Sequence, residues 1–366
     1  MNKLKIAIIG HLKYPLVEPF MGGIESFTHN IAKLLIDRGH EVVVFSAKGT
    51  DEKINPYIMC DPAENINEYI IYTEIMNILQ DSDFDVVHNN SINPIPNILS
   101  SKIPMPMVTT LHLQPFFDDL QYSLSNADNR NNTIITVSNY MQQKWSSIIK
   151  NQAIYNGVNL EKFTPLVQEK KENYAIWFGR ITPIKGTIYA IKAAKKAGIS
   201  LKIAGAIYDQ EYFANEISPH INISWLKKII CKNNIEYLGA LGQPELRNII
   251  AKARVSLCTP ADWCDEAYGL VAAEALACGT PVATFARGAL AEILDEKSGV
   301  LAQPNNIDSL SEALLKAMTL KTEDCRKRAE EIADINVMVD KYEELYYKLA
   351  KTKIKKRHRL YTVGSA

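Results

Sequence analysis

Three features of the sequence predict two successive doubly wound α/β domains facing a central crevice. Short apolar strands alternate with helical stretches. The alternation breaks at Asn156-Gly157 and restarts at Tyr174 after a charged, proline-containing stretch, Glu161 to Glu172. The 366 residues also exceed one ordinary domain. The expected division is 1–165, 166–336, and a C-terminal helix with a basic tail over 337–366, long enough to pack back on the first domain.

Each element has its own signal. Lys5 to Gly10 is a buried strand by its continuous apolar run. A long loop leads to Gly22-Gly23, which opens a helix over Ile24 to Arg38, and after Gly39 the strand Glu41 to Ser46 completes the first strand-helix-strand unit. A helix around Asn67 to Leu79 follows, then strands at Asp85 to His88, Met107 to Leu111 and Thr133 to Val137. A helix over Asn139 to Ile149 and a strand over Ala153 to Tyr155 close this half. In the second half Tyr174 to Arg180 is a new first strand, Thr187 to Ala197 a helix, and Ser200 to Ala204 and Ile235 to Leu238 strands. Asp209 to Trp225 reads as a long aromatic loop. Gln243 to Ala253 is a helix, Val255 to Cys258 a strand, and Gly299 to Ala302 with the helix Asp308 to Met318 ends the repeat. The final helix is expected over Val337 to Lys353.

Composition narrows the function. The hydrophobic fraction of 47% suffices for two cores, and the formal net charge is zero. Charge is unevenly spread: residues 1–165 carry 12 Lys/Arg against 17 Asp/Glu, and residues 341–366 carry 8 against 2. A nucleic-acid platform needs a basic stripe across a folded face, which this distribution lacks. The basic tail reads first as a solvated helix end, with a weak peripheral contact on anionic lipid as its secondary reading. Six scattered cysteines show neither C-x-x-C nor zinc spacing, so reduced thiols in a cytoplasmic protein are expected. No apolar run approaches 18 residues, and Met1 to Gly10 is too short for a signal peptide.

Cys258 to Val282 is the stretch that points to chemistry. It runs loop, helix, strand, with Glu266 and Glu274 in otherwise small and apolar surroundings. Leu270 to Cys278 is rich in Ala and Leu, Gly279 ends the helix, and Pro281 prevents its resumption. This helix starts at the carboxyl end of a strand, so its first N–H groups, near Tyr268, Gly269, Leu270 and Val271, would meet an anion such as phosphate. Glu266 in the loop and Glu274 just over a turn inside would then address two parts of an extended ligand with an anionic middle. A nucleotide sugar has that shape.

The residues in this order resemble the retaining glycosyltransferases of family 4, which share the GT-B fold of two Rossmann-like domains. The resemblance spans nearly the whole chain: Gly22-Gly23-Ile-Glu25 with Arg38 to Val42, Asp85 to His88, Thr109 to His112, Val137-Ser138, Tyr155 to Asn159, Phe178 to Arg180 with Lys185-Gly186, Tyr237 to Gly239, and Glu266 to Glu274 with Cys278 to Pro281. It implies that Arg180 and Lys185 hold the donor diphosphate and that Gly22 and Gly23 let backbone N–H groups approach it. Tyr268, Gly269 and Leu270 fall at the implied nucleotide site, Glu266 would hold donor-sugar hydroxyls, and Glu274 the ribose hydroxyls. His112 matches the family histidine near the transferring sugar, while His88 and Ser138 would shape the acceptor side. The implied activity is metal-independent hexosyl transfer from a nucleoside-diphosphate sugar, most simply a UDP-sugar, to a hydroxyl acceptor with retention. Surface glycan, lipopolysaccharide or metabolite glycosylation are the implied settings, in the cytoplasm or peripherally on the inner face of the membrane. No cofactor or metal is implied.

Two rival readings remain at this level. A noncatalytic sugar-nucleotide-binding protein would keep the fold while losing Arg180, Lys185 or a glutamate, and none is lost. An NAD-dependent oxidoreductase would need G-x-G-x-x-G after its first strand, where Gly10 is instead followed by His11-Leu12-Lys13. Asp81-Ser82-Asp83 imitates a metal-binding D-x-D but reads as solvated turn. Phe116-Phe117 is expected to pack in the core or as a loop staple, and Trp263 to wall the sugar pocket or pack its loop.

Overall fold

A computed structural model describes residues 3–62, 67–166, 170–221 and 234–363. Part of the expected aromatic loop (222–225), part of the expected linker (167–169) and Cys231 lie outside the described residues. The chain forms two compact units, Met1–Tyr155 with Asn336–Ala366, and Asn156–Ile335.

Among the described residues the first unit holds a seven-stranded parallel sheet. Its strands are β1 (Lys5–Ile9), β2 (Glu41–Ala47), β3 (Pro56–Cys60), β4 (Val86–Asn89), β5 (Met107–Leu111), β6 (Asn132–Thr136) and β7 (Asn151–Ala153), ordered 3-2-1-4-5-6-7. All pairings are parallel. The order reverses between β1 and β4, the position at which doubly wound sheets bind ligands beyond their strand ends. Ile6 to Ile9, Val86 and Val87 are fully buried, as strands covered on both faces must be.

The C-terminal helix, Ile335–Val363, is anchored within this unit. Tyr342 and Tyr346 are fully buried against the sheet, and Arg38 and His40 pair with Glu343 at 2.7 and 3.1 Å. Burial works against the Arg38 guanidinium, but Glu343 and Asp340 outweigh it and hold it above its usual range.

The second unit has a six-stranded parallel sheet: β8 (Glu172–Phe178), β9 (Ser200–Ala204), β10 (Ile235–Tyr237), β11 (Ala253–Cys258), β12 (Val282–Phe285) and β13 (Gly299–Ala302). Its order is 10-9-8-11-12-13, so the switch falls between β8 and β11. Two units of this topology are the GT-B architecture expected from the sequence.

Two expectations need correction. Residues 156–165, expected in the first domain, fall in the second unit, so the division lies at Tyr155/Asn156 rather than at 165/166. Their backbone is tied down by Val158 N donating to Ala333 O (2.8 Å), by Arg326 Nη1 donating to the Leu160 and Phe163 carbonyls, and by Arg247 donating to those of Thr164 and Pro165. Gly157 is needed here because a Cβ would lie 2.3 Å from Ile335 Cα. The loop expected from Asp209 is wound into helical turns over Gln210–Tyr212, Phe213–Ile217 and Ser218–His220, started by Asp209 Oδ1 accepting from Tyr212 N.

Candidate active site

The second unit brings its predicted residues together at the carboxyl ends of β8 and β11. Beyond β8 come Gly179, Arg180 and a tight turn over Pro183–Lys185, and Gly186 at φ +62° starts the helix Thr187–Ala197. Gly186 sits against the loop after β11, where a Cβ would lie 2.0 Å from Thr259 O. Thr259 Oγ1 donates to Gly186 O (2.9 Å) and accepts from Trp177 Nε1 (3.1 Å), while Ala261 N donates to Ile184 O (3.0 Å). Three hydrogen bonds therefore fix Lys185 relative to the Asp262–Glu266 loop.

Lys185 Nζ and Glu266 Oε1 form an ion pair, with side chains 31% and 13% exposed. Burial alone would push the Lys185 ammonium down, but Glu266 outweighs it and holds it above the usual lysine range. Arg180 has no acidic partner among the described residues and lies over the Tyr208 ring at 5.4 Å. A charge held on an aromatic face without a carboxylate is available to an anionic ligand.

Glu266 is held by a neighbour that the sequence does not advertise. Its carbonyl accepts from Ala289 N (2.9 Å), and Gly288, at φ +59°, approaches so closely that a Cβ would lie 2.2 Å from Glu266 O. Arg287 Nη1 donates to Asp262 O (2.7 Å), and its Nη2 donates to Asn305 Oδ1 (3.0 Å). Arg287 and Gly288 are thus positioning residues that sequence reasoning missed. The only signal was a glycine four residues before Glu292, which does not reveal its tertiary contact.

The helix Leu270–Ala277 begins at Gly269, whose φ of +99° a side chain would resist. Leu270 and Val271 present N–H groups at its start. Tyr268 can offer only backbone, because its ring is buried and its hydroxyl donates to Ile332 O (3.3 Å). Glu266 lies in the loop and Glu274 in the helix. The Glu274 carboxyl has no hydrogen-bond partner among the described residues, and although the residue keeps some surface, burial pushes this carboxyl up to about 8.

The first unit separates its predicted residues into two kinds. His112, just past β5, is buried with Nε2 3.3 Å from Asn90 Oδ1 and its ring 4.7 Å from that of Phe27. Burial pushes it down to about 3, with Glu25 opposing. His88 and Ser138 are structural in their contacts: His88 bonds Thr110 Oγ1 (2.8 Å) and Tyr346 OH (2.7 Å) through its two nitrogens. Ser138 caps the helix Asn139–Trp145 by accepting from Met141 N (3.1 Å). Both side chains are fully buried, so their expected place on the acceptor side has no geometric support. Gly22 and Gly23 open the helix Gly23–Asp37 with Gly22 in ordinary extended backbone, φ −167°, and no conformational demand for glycine there. Phe116 and Phe117 are 57% and 44% exposed rather than packed, because they precede a helix, Asp118–Asn126, whose buried face is Leu120, Ser123 and Leu124. Trp263 is 62% exposed. Among the described residues no group of His, Cys, Asp and Glu could hold a metal ion, and no helix is long and apolar enough to cross a membrane.

Two family models match in succession: residues 21–162 match "Glycosyltransferase Family 4" and residues 159–334 match "Glycosyl transferases group 1". The chain belongs to glycosyltransferase family 4. This family 4 enzyme uses a nucleotide sugar. It is 27% identical over 335 residues to the glycosyltransferase MJ1178 of Methanocaldococcus jannaschii, covering 84% of this chain and 88% of that one. It is 22% identical over 370 residues to a D-inositol 3-phosphate glycosyltransferase of Mycobacterium avium, covering 85% and 84%. Among solved structures it resembles AviGT4, a glycosyltransferase involved in avilamycin A biosynthesis, with TM-score 0.69, 22% identity and 95% and 98% coverage. It also resembles HepE of Anabaena in complex with UDP-glucose, with TM-score 0.73, 18% identity and 94% and 100% coverage.

Proposed function

We propose that this family 4 enzyme transfers a hexosyl unit from a UDP-sugar to a hydroxyl acceptor, without a metal ion, in surface glycan, lipopolysaccharide or metabolite glycosylation. The observation that carries the donor assignment is the Lys185–Glu266 pair beside the start of the Leu270–Ala277 helix, with Arg180 uncommitted to any carboxylate among the described residues. Fixed cations and helix N–H groups at one place suit a diphosphate that gains charge as the glycosidic bond breaks. UDP-glucose is the natural first probe, given the similarity to HepE.

In this reading Arg180 and Lys185 stabilise the departing diphosphate, and the charge they supply takes the place of a divalent ion. Glu266 accepts hydrogen bonds from donor-sugar hydroxyls while restraining Lys185. Glu274 receives the ribose hydroxyls, which would give its unpartnered carboxyl the hydrogen bonds it lacks. Gly22, Gly23 and His112 keep the phosphate-approach and sugar-orienting roles implied by family resemblance. Retention follows front-face substitution, in which the leaving phosphate takes the acceptor proton and no side chain acts as nucleophile.

The test is turnover of UDP-, GDP- and ADP-sugars with and without chelator. UDP-sugar turnover that persists in chelator and is lost in Arg180→Ala is expected. Activity that disappears with chelator and returns with a divalent ion overturns the metal-independent part. Unchanged UDP affinity in both Arg180→Ala and Lys185→Ala overturns the donor site.

A further inference from the structure

The first unit carries a second polar cluster at its own switch point, where His112 is joined by residues not yet given a role. Asn90 follows β4 and is held at the end of β1 by its N–H donating to Ile9 O (2.9 Å). His11 follows β1, and His112 follows β5. Glu25, in the first turn of the helix Gly23–Asp37, is buried and takes His11 Nδ1 at 3.1 Å. A carboxylate on one imidazole nitrogen fixes the ring and its tautomer, leaving the other nitrogen to face a ligand.

Two atoms in this cluster lack partners among the described residues. Asn90 is fully buried, yet its Nδ2 makes no hydrogen bond, and His11 Nε2 has none either. Turning the Asn90 amide over does not remove the deficit, since His112 can occupy only one of its two polar ends. A buried amide with an unpaired donor costs about 1–3 kcal/mol until a partner reaches it. The bonded groups here are the Glu25 carboxylate on His11 and the Asn90 amide on His112. Such a set suits neutral hydroxyls, which both donate and accept, rather than a phosphate.

We propose that Asn90 and the Glu25-oriented His11 form, beside His112, a binding site for the hydroxyls of a neutral sugar or polyol ring on the acceptor. Asn90 Nδ2 donates to one ring oxygen, and His11 Nε2 accepts from a neighbouring hydroxyl. Glu25 is a positioning residue that acts through His11. This inference rests on the glycosyl-transfer reading and assigns the acceptor's chemical class.

The test is calorimetric titration of the full-length, UDP-saturated protein with two probes, glucose and myo-inositol. The wild type should bind at least one of them. Asn90→Leu and His11→Phe should each weaken that binding by about tenfold or more, the loss of one hydrogen bond of ~1.4 kcal/mol, with UDP affinity unchanged. Glu25→Gln should weaken the same probe, because it no longer holds His11 Nδ1 as a carboxylate does. Binding of UDP but of neither polyol, or undiminished polyol affinity in both Asn90→Leu and His11→Phe, overturns the proposal. Polyol binding by a protein with no affinity for UDP would instead sink the donor assignment and leave this site standing.

Discussion

Glu274 and Lys185 solve opposite problems at the same site. Lys185 is kept charged against burial by Glu266, whereas nothing opposes burial at Glu274, so its proton stays on to about 8. A protonated carboxyl has an O–H to donate but less acceptor capacity, and two ribose hydroxyls ask for acceptors. UDP affinity is therefore expected to rise as pH increases through about 8, and Glu274→Gln should bind more weakly with that dependence removed. Titrations of both proteins across this range check it. Stability has the opposite sign: the unfolded acid ionises near 4.5 while the folded one holds its proton to about 8, so stability is lost as pH rises through that interval. Glu274→Gln should accordingly gain unfolding midpoint on the wild type at alkaline pH. For Lys185→Ala, the loss of the fixed charge proposed to meet the leaving group should lower kcat by about 10²–10³-fold. Rapid-quench turnover with UDP-glucose measures it, and a fall confined to KM would remove Lys185 from the chemical step.

At the scale of elements, the proposed donor site depends on three loops that lock one another. Gly288 illustrates the constraint, because its left-handed backbone and the approach of Glu266 both exclude a side chain. Gly288→Ala should cost about 1–3 kcal/mol in denaturant unfolding and depress kcat by displacing Glu266. A variant with normal stability and normal kcat would show that the loop tolerates the shift. The same element explains what sequence could reveal. Strands such as Lys5–Ile9 were legible because apolar runs are local signals, and Glu266 and Glu274 stand out as carboxylates in a small, apolar segment, whereas Arg180 and Lys185 are singled out by the family resemblance. Gly288 and Arg287 were not, since their role lies in a contact more than twenty residues away for Gly288 with Glu266 and for Arg287 with Asp262. His88 and Ser138 show the converse limit: a strand-end histidine and a pre-helix serine look available in sequence, and only the structure shows Tyr346 and Met141 N on them. The edge strand Pro56–Cys60 is half exposed and starts with proline, and the helix Thr322–Ile332 buries only Cys325 and Ala329, so neither shows the periodicity that marks its neighbours.

Across the whole molecule the titratable burdens fall on different units, so acid and base should weaken different halves of the chain. His88 and His112 both belong to the first unit, and burial pushes each down to about 3. In the unfolded chain these imidazoles take up a proton near 6.5, while the folded unit refuses it until about 3. Proton uptake therefore favours unfolding throughout that window: the contribution is present above 6.5 and is lost as pH falls toward 3. Glu274, in the second unit, loses its contribution in the other direction, between 4.5 and about 8. A single unfolding free energy does not describe two such units, so the measurement is hydrogen exchange resolved by element. Acidification from 6.5 should reduce protection in β4, β5 and the Ile335–Val363 helix before it affects β8 and β11, because Tyr342 and Tyr346 pack on His88. His88→Gln keeps a neutral side chain that can still bond Thr110 and Tyr346 but cannot titrate, and it should move that loss to lower pH. Simultaneous loss of protection in both sheets, or no effect of His88→Gln on the acid response, would mean that carboxylates rather than these histidines set the acid limit.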